Sequence, residues 1–298
     1  MSRFAAIDIG SNAIRLMIAK VEQRQKQMTI KKEAFFRVPL RLGSEVFSQG
    51  DISTALQQKV IETMDAFQHL LTVFEPISYR AYATSAMRDA SNGNFTAALI
   101  TKQTGINIQI IDGQTEAQTV FSSLIQQQLD PHKTYLFIDV GGGSTELLLF
   151  RNGEIECSHS FNLGTVRMLN KKDDPTQWQQ MKQWVKEKVS PAAPTGIGSG
   201  GNINRLNRMA KKEEKNLTYK SLKQVYQHIT ELDINGRMNH YGLKPDRAEV
   251  IVPAAHIFLS IMAWGNISTI QVPKSGLCDG LICQQYDEYI TADATARD

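Results

Sequence analysis

A ten-residue motif that occurs twice constrains this chain more than any other feature. Ile7-Asp8-Ile9-Gly10-Ser11-Asn12-Ala13-Ile14-Arg15-Leu16 returns 131 residues later, without a gap, as Ile138-Asp139-Val140-Gly141-Gly142-Gly143-Ser144-Thr145-Glu146-Leu147. Each copy is an apolar run ending on Asp, a turn of glycine and small polar residues, and a second apolar run. That pattern predicts a strand–turn–strand hairpin. Such a turn aims consecutive backbone N–H groups outward as a nest for phosphate oxygens. The competing reading of one copy is a plain tight hairpin with glycines at positive φ. Two copies, one near the start of each half of a 298-residue chain, fit a duplicated domain better than a short-period solenoid. They predict two related lobes facing a phosphate-filled cleft.

Length and composition set the frame. The chain has room for two domains of ordinary size, and 42% hydrophobic with 21% charged residues marks a soluble globular protein. A formal net charge of +3 does not call for DNA, yet a modestly basic cleft suits an anionic substrate. Cys157, Cys278 and Cys283 form no CxxC pair, and the six histidines lack ligand spacing. Any metal should therefore be a hard cation held by oxygens. The N-terminus has no signal-peptide pattern, so a cytoplasmic location is expected. The stretch from Val250 to Trp264 is too short to span a bilayer and reads as a buried helix starting near Pro253. The mixed-charge run from Arg208 to Lys215 reads as a solvated helix face.

Periodicity fills in the rest. Phe35 to Phe47 reads as an edge segment or loop. Leu56, Val60, Met64, Phe67, Leu71 and Phe74 predict an amphipathic helix with Ser53 as N-cap. Strands are expected at Ile77 to Ala83 and Ile106 to Ile111. A helix from about Asn94 should stop at Gly105, and another should begin near Thr115. In the second half, Tyr135 to Val140 and Glu154 to Phe161 predict strands, and Pro175 opens a helix carrying Trp178, Met181, Val185 and Val189 on one face. Gly198-Ser199-Gly200-Gly201-Asn202 leaves a strand and enters a helix at Ile203, a second phosphate-cradle candidate or a turn made for close packing. No G-x-x-x-x-G-K-[ST] occurs.

With these segments in order, the chain resembles the exopolyphosphatase / guanosine pentaphosphate phosphohydrolase (Ppx/GppA) family. The resemblance rests on both hairpins and on Ala83-Thr84-Ser85-Ala86-Met87-Arg88-Asp89-Ala90-Ser91-Asn92. It continues through Gly113-Gln114-Thr115-Glu116-Ala117, Phe161-Asn162-Leu163-Gly164-Thr165-Val166-Arg167-Met168, the Gly198–Asn202 cluster, and Gly242-Leu243 with Arg247 to Pro253. It implies an α/β fold of two actin-like (ribonuclease H-like) domains around a central cleft, divided here as 1–124 and 125–298, with the last helix free to return to the first domain. It also implies a short member without extra C-terminal domains. Ser275-Gly276-Leu277-Cys278-Asp279-Gly280 stands where relatives usually carry Leu-Arg-Glu-Gly, so Cys278 replaces a cation.

The resemblance implies site residues as well. Glu116 matches the family's catalytic glutamate, and Arg88 matches the arginine of its Ala-Thr-x-Ala-x-Arg segment. Ser11, Asn12, Gly143, Ser144 and Thr145 match its phosphate loops, to which Gly142, Gly200 and Gly201 are added from the turn pattern. Asp139 and Glu146 match metal-binding acids, with Mg²⁺ or another divalent cation as the expected cofactor. Each residue also has a plainer reading. Glu116 could serve only the helix dipole, Asp139 could cap its own turn, Glu146 could be an exposed strand residue, and Arg88 a surface cation. The expected reaction is release of terminal orthophosphate from polyphosphate or guanosine pentaphosphate. A small-molecule kinase or an inactive polyphosphate- or nucleotide-binding regulator on the same fold stays open, and so does a homodimer.

Overall fold

The computed structural model describes residues 2–24, 27–125, 129–210 and 216–295. The chain divides into two compact units, 1–128 with 276–298, and 129–275.

The first unit starts with the predicted hairpin. Strands β1 (Ser2–Ile9) and β2 (Ile14–Arg24) pair antiparallel, with Asp8 opposite Arg15, and β3 (Gln27–Val38) extends the sheet from β2. The segment read as an edge or loop is thus the end of an edge strand, followed by helix α1 (Leu42–Gln49). Helix α2 (Thr54–Phe74) begins where Ser53 caps it, its side chain accepting from Leu56 N–H. Strand β4 (Ser78–Ala83) lies parallel to β1, and α3 (Ser85–Asp89) and α4 (Gly93–Thr104) follow. Gly105 ends α4 in the left-handed region, as expected of a C-cap. Strand β5 (Ile108–Ile110) completes a sheet of order β3-β2-β1-β4-β5, and α5 (Gly113–Ile125) comes next.

The second unit repeats the opening. Strands β6 (Tyr135–Val140), β7 (Thr145–Arg151) and β8 (Glu154–Phe161) form an antiparallel meander with Asp139 opposite Glu146. After α6 (Thr165–Leu169), helix α7 (Pro175–Trp184) starts on its proline and runs into a π-helical turn at Val185–Val189. Strand β9 (Thr195–Ser199) leads to α8 (Gly200–Met209), so the glycines themselves form the first helical turn. Most of the run expected as a charged face, 211–215, lies outside the described residues. Then come β10 (Asn216–Thr218), α9 (Tyr219–Glu231), α10 (Ile234–Tyr241), α11 (Pro245–Trp264) and β11 (Thr269–Gln271), giving a sheet of order β10-β11-β9-β6-β7-β8.

Helix α11 corrects two expectations. It starts at Pro245 and carries Pro253 in its interior, which makes it 20 residues long and, by length and composition, able to cross a membrane. What speaks against that role is burial, since Ala248, Ile251, Ala254, Ala255, Phe258, Ile261 and Met262 lie in the core of this unit. Packing of this kind overrides the cost of an internal proline.

The last helix, α12 (Leu277–Thr295), belongs to the first unit, where Leu277, Leu281, Ile282 and Tyr286 pack with Phe4, Met17 and Val120. Gly280 sits against α5 so closely that a Cβ there would lie 1.8 Å from Thr119 O. Cys278 is in the same core, its thiol pushed well above the ordinary value by burial. A buried thiol thus stands where the resemblance implies a cation.

The duplication extends beyond the motif. Both meanders carry a β-bulge between second and third strands. The residue left over in each third strand is a glutamate, Glu33 or Glu156, and each is ion-paired, Glu33 with Arg3 and Lys20, Glu156 with Arg151.

Candidate functional site

The two turns have one construction. Gly10 N–H donates to Ala13 O, and at the equivalent position Gly141 N–H donates to Ser144 O. None of Gly10, Gly141, Gly142 or Gly143 has a positive φ, so tight left-handed geometry does not explain these glycines. Instead, the carbonyls of each turn are tied back by the segment that follows the third strand. In the first unit, Ser11 O accepts from Gly43 N–H and Asn12 O from Arg41 N–H. In the second, Gly141 O accepts from Thr165 N–H, and Gly142 O from the N–H groups of Val166 and Arg167. Arg167 Nε donates to Gly143 O at 2.9 Å. With their carbonyls occupied, Gly142, Gly143 and Ser144 have N–H groups that find no acceptor among the described residues. Three consecutive donors of this kind form an anion nest.

The side chains of the turns differ in use. Ser11 is 3% exposed and shares a hydrogen bond of 2.8 Å with Ser85 at the start of α3. Asn12 and Ser144 are buried. Thr145 is wholly buried and its hydroxyl donates to Leu163 O at 2.7 Å, so its side chain supports the turn from the core side and does not face a ligand.

The strand register sets two polar rows. In the first unit Asp8, Arg15 and Arg37 stand side by side across β1, β2 and β3, and Arg15 Nη1 donates to Asp8 Oδ2. In the second the row is Asp139, Glu146 and Ser160. Glu146 is not the exposed residue that its strand position allowed. It is 3% exposed, and Oε1 accepts from Ser160 Oγ at 2.9 Å. Asp139 lies against α8: Gly200 takes a φ of 84°, and a Cβ on it would come within 2.7 Å of Asp139 Oδ1. A carboxylate at a helix N-terminus is favoured by the dipole and free N–H groups. Gly201 opens space for Arg247, whose Nη2 would meet a Cβ there at 2.8 Å. Asn202 ties the group together, Nδ2 donating to Val140 O and Oδ1 accepting from Arg247 at 3.4 Å.

Arg88 and Glu116 come together in the first unit, Arg88 Nη1 lying 3.9 Å from Glu116 Oε2 and donating to Ile111 O at 2.7 Å. Capping of α5 falls to Asp112, which accepts from Thr115 N–H at 2.7 Å, and those bonds to Thr115 hold its carboxyl below the ordinary value. The end of the helix is therefore served without Glu116. Its carboxylate, 13% exposed, is held beside a guanidinium.

Ser85, Gly43 and Gly164 were not among the residues expected at the site, and Asn202 was named only as the end of the Gly198–Asn202 cluster. The Ala-Thr-Ser-Ala segment and a Leu-Gly step at the start of α1 and just before α6 were the available signals.

Residues 17–288 match the Ppx/GppA phosphatase family. The chain belongs to that family. Exopolyphosphatase 1 of Mycobacterium tuberculosis is 25% identical over 316 aligned positions, covering 99% of this chain and 90% of the relative. A guanosine-5'-triphosphate,3'-diphosphate pyrophosphatase of Vibrio parahaemolyticus is 24% identical over 99% of this chain and 61% of its own length. Among solved structures, an Aquifex aeolicus Ppx/GppA family member superimposes with a TM-score of 0.76 at 23% identity, covering 97% and 98% of the two chains. An exopolyphosphatase from Cytophaga hutchinsonii gives 0.82 at 21%, covering 96% and 98%. The fold is the two-domain actin-like architecture of these Ppx/GppA structures, and the protein is a phosphohydrolase.

Proposed function

We propose that this Ppx/GppA phosphatase releases terminal orthophosphate from linear polyphosphate or guanosine pentaphosphate by attack of water on the last anhydride. The observation that carries the reading is the nest of Gly142, Gly143 and Ser144, whose N–H groups have no acceptor among the described residues because the turn's carbonyls are tied back. Ser11 and Asn12 form the matching turn in the first unit, and Gly200 and Gly201 add the N-terminus of α8. Glu116 orients water and takes its proton. Arg88, 3.9 Å from Glu116, bonds terminal phosphate oxygens.

The donor set of the second unit fits Mg²⁺. Asp139 and Glu146 are cross-strand neighbours offering only oxygen, and no group of three metal-ligating side chains occurs among the described residues. Mg²⁺ is commonly held by one or two carboxylates, with water and phosphate completing its shell. Asp139 and Glu146 would hold it, and when bound it supplies neutralisation of charge on the transferring phosphoryl group. Cys157, Cys278 and Cys283 are free thiols, which supports a reducing compartment.

The test is phosphate release from both substrates by the purified protein and by Glu116→Gln. Removing a general base should cost about 10²–10⁴-fold in kcat with KM little changed. A loss smaller than about tenfold would reassign Glu116 to a structural role.

A further inference from the structure

We infer that Gly43 and Gly164 are positioning residues, each setting the shape of one phosphate turn by pressing on it from behind. The inference rests on the reading of these turns as phosphate cradles and adds to it what holds them. Neither glycine has a positive φ, so conformational freedom does not account for either. Space does. A Cβ on Gly164 would lie 2.5 Å from Gly142 C, Gly142 O and Gly143 C, all backbone atoms of the nest. A Cβ on Gly43 would lie 2.9 Å from Ser11 Cβ and 2.6 Å from the Phe47 ring. Real Cβ atoms essentially never come this close, so a methyl at position 164 must displace the turn or its own segment.

The two glycines lie in comparable places in their units. Each comes after the third strand of its meander, each follows a leucine (Leu42 or Leu163), and each is at the start of a helix. Each also lies within or next to the run of bonds that occupies the turn's carbonyls. Gly43 N–H itself donates to Ser11 O at 2.8 Å, and the three residues after Gly164 donate to Gly141 O and Gly142 O. Around Gly43 the backbone departs from easy conformations, since Arg41 has a φ of 59°. A non-glycine residue in that region is retained only where its surroundings fix it. The Leu-Gly step is thus a second repeated device. It holds the backbone of each turn so that its carbonyls face the protein.

The experiment measures inhibition by inorganic phosphate, together with kcat and KM, for the parent, Gly164→Ala and Gly43→Ala. Thermal melts establish that each variant is folded. Gly265→Ala is the control: its Cβ also meets neighbours at 3.1–3.3 Å, but none of them belongs to a turn. Gly164→Ala and Gly43→Ala should each weaken phosphate inhibition and raise KM together, by on the order of 10- to 100-fold, the scale of a small misplacement of binding groups. Gly265→Ala should lower the melting temperature and leave both constants alone. Should Gly164→Ala fail to fold, Thr165→Val deletes the hydroxyl bond to Gly141 O with little change of shape and should move the same two constants in the same direction. Folded Gly164→Ala or Thr165→Val protein with parental phosphate affinity and KM overturns the inference. A parent that neither hydrolyses either substrate nor responds to phosphate would overturn the cradle reading instead.

Discussion

At the residue scale the informative comparison is internal, between two rows of side chains at equivalent strand positions. Asp8, Arg15 and Arg37 carry a net positive charge, while Asp139, Glu146 and Ser160 carry two negative charges. In the first row the hairpin supplies its own cation, since Arg15 bonds Asp8 directly. In the second, the residue opposite the aspartate is another carboxylate, and like charges directly opposite each other on a sheet are destabilising. On the proposal that Asp139 and Glu146 hold Mg²⁺, a bound cation would relieve that repulsion, and the two copies of the motif differ at this position by one exchange, Arg15 in one and Glu146 in the other. From this we expect Asp139→Asn to raise the Mg²⁺ concentration for half-maximal turnover by about tenfold, the effect of losing one of two charged oxygen ligands. Asp8→Asn should leave that concentration unchanged, because its carboxylate is engaged by Arg15. Magnesium titrations of both variants decide the matter. An Asp139→Asn curve that overlays the parent would make Asp139 only the anion at the α8 N-terminus.

At the scale of elements, the bulges show how ion pairs are built into the meanders. Glu33, the extra residue of β3, reaches both Arg3 and Lys20, and its bonds to them hold its carboxyl down to about 2. A depressed carboxylate contributes stability that is present above its unfolded pKa of 4.5 and is lost as pH falls toward 2. The cluster is open to solvent, so the effect should be modest and sensitive to salt. Denaturant midpoints at pH 5 and pH 3 should fall further for the parent than for Glu33→Gln; equal falls would mean that the triad adds nothing. Such features also mark the limit of what the sequence discloses. Both hairpins, the Ser53 cap and the Gly105 stop were legible because each is a local pattern with a local cause. Helix α1, inside the segment read as an edge or loop, was not, since its N-cap, Arg41, makes no capping bond with its side chain. The start of α11 was misplaced because Pro253 sits where packing, not propensity, decides. The site divides the same way. The residues of the turns and the Glu116 context stood out, whereas Ser85 against Ser11, Arg247 over Gly201 and Gly164 behind Gly142 are tertiary contacts with no local period.

For the whole molecule, the order in which the chain visits its units has a consequence for stability. The second unit is one continuous stretch, 129–275, whereas the first is assembled from 1–128 and 276–298. Helix α12 is not a surface addition to the first unit: Leu281 and Ile282 are fully buried, Leu277 and Tyr286 nearly so, and they share a core with Phe4, Met17 and Val120. Gln285 adds a bond to Ala5 O within β1, and Gly280 seats the helix against α5. Exposing four such side chains at about 1.5–3 kcal/mol each removes much of the roughly 5–15 kcal/mol that holds a domain folded. Shortening the chain after Ser275 should therefore unfold the first unit. The second keeps its own core, in which Leu136, Ile138, Ile203, Phe258 and Ile270 are all fully buried. Calorimetry of the full chain and of the shortened one tests this. We expect the shortened protein to keep one cooperative transition and to lose the heat absorbed by the other. Amide exchange should then show protection surviving in β6, β7 and β9 and vanishing from β1 and β2. Persistent protection of β1 without α12 would mean that the remaining elements of the first unit suffice to hold its sheet. Hydrolysis should be lost in either case, because Thr119, one turn from Glu116, gives up its contact with Gly280.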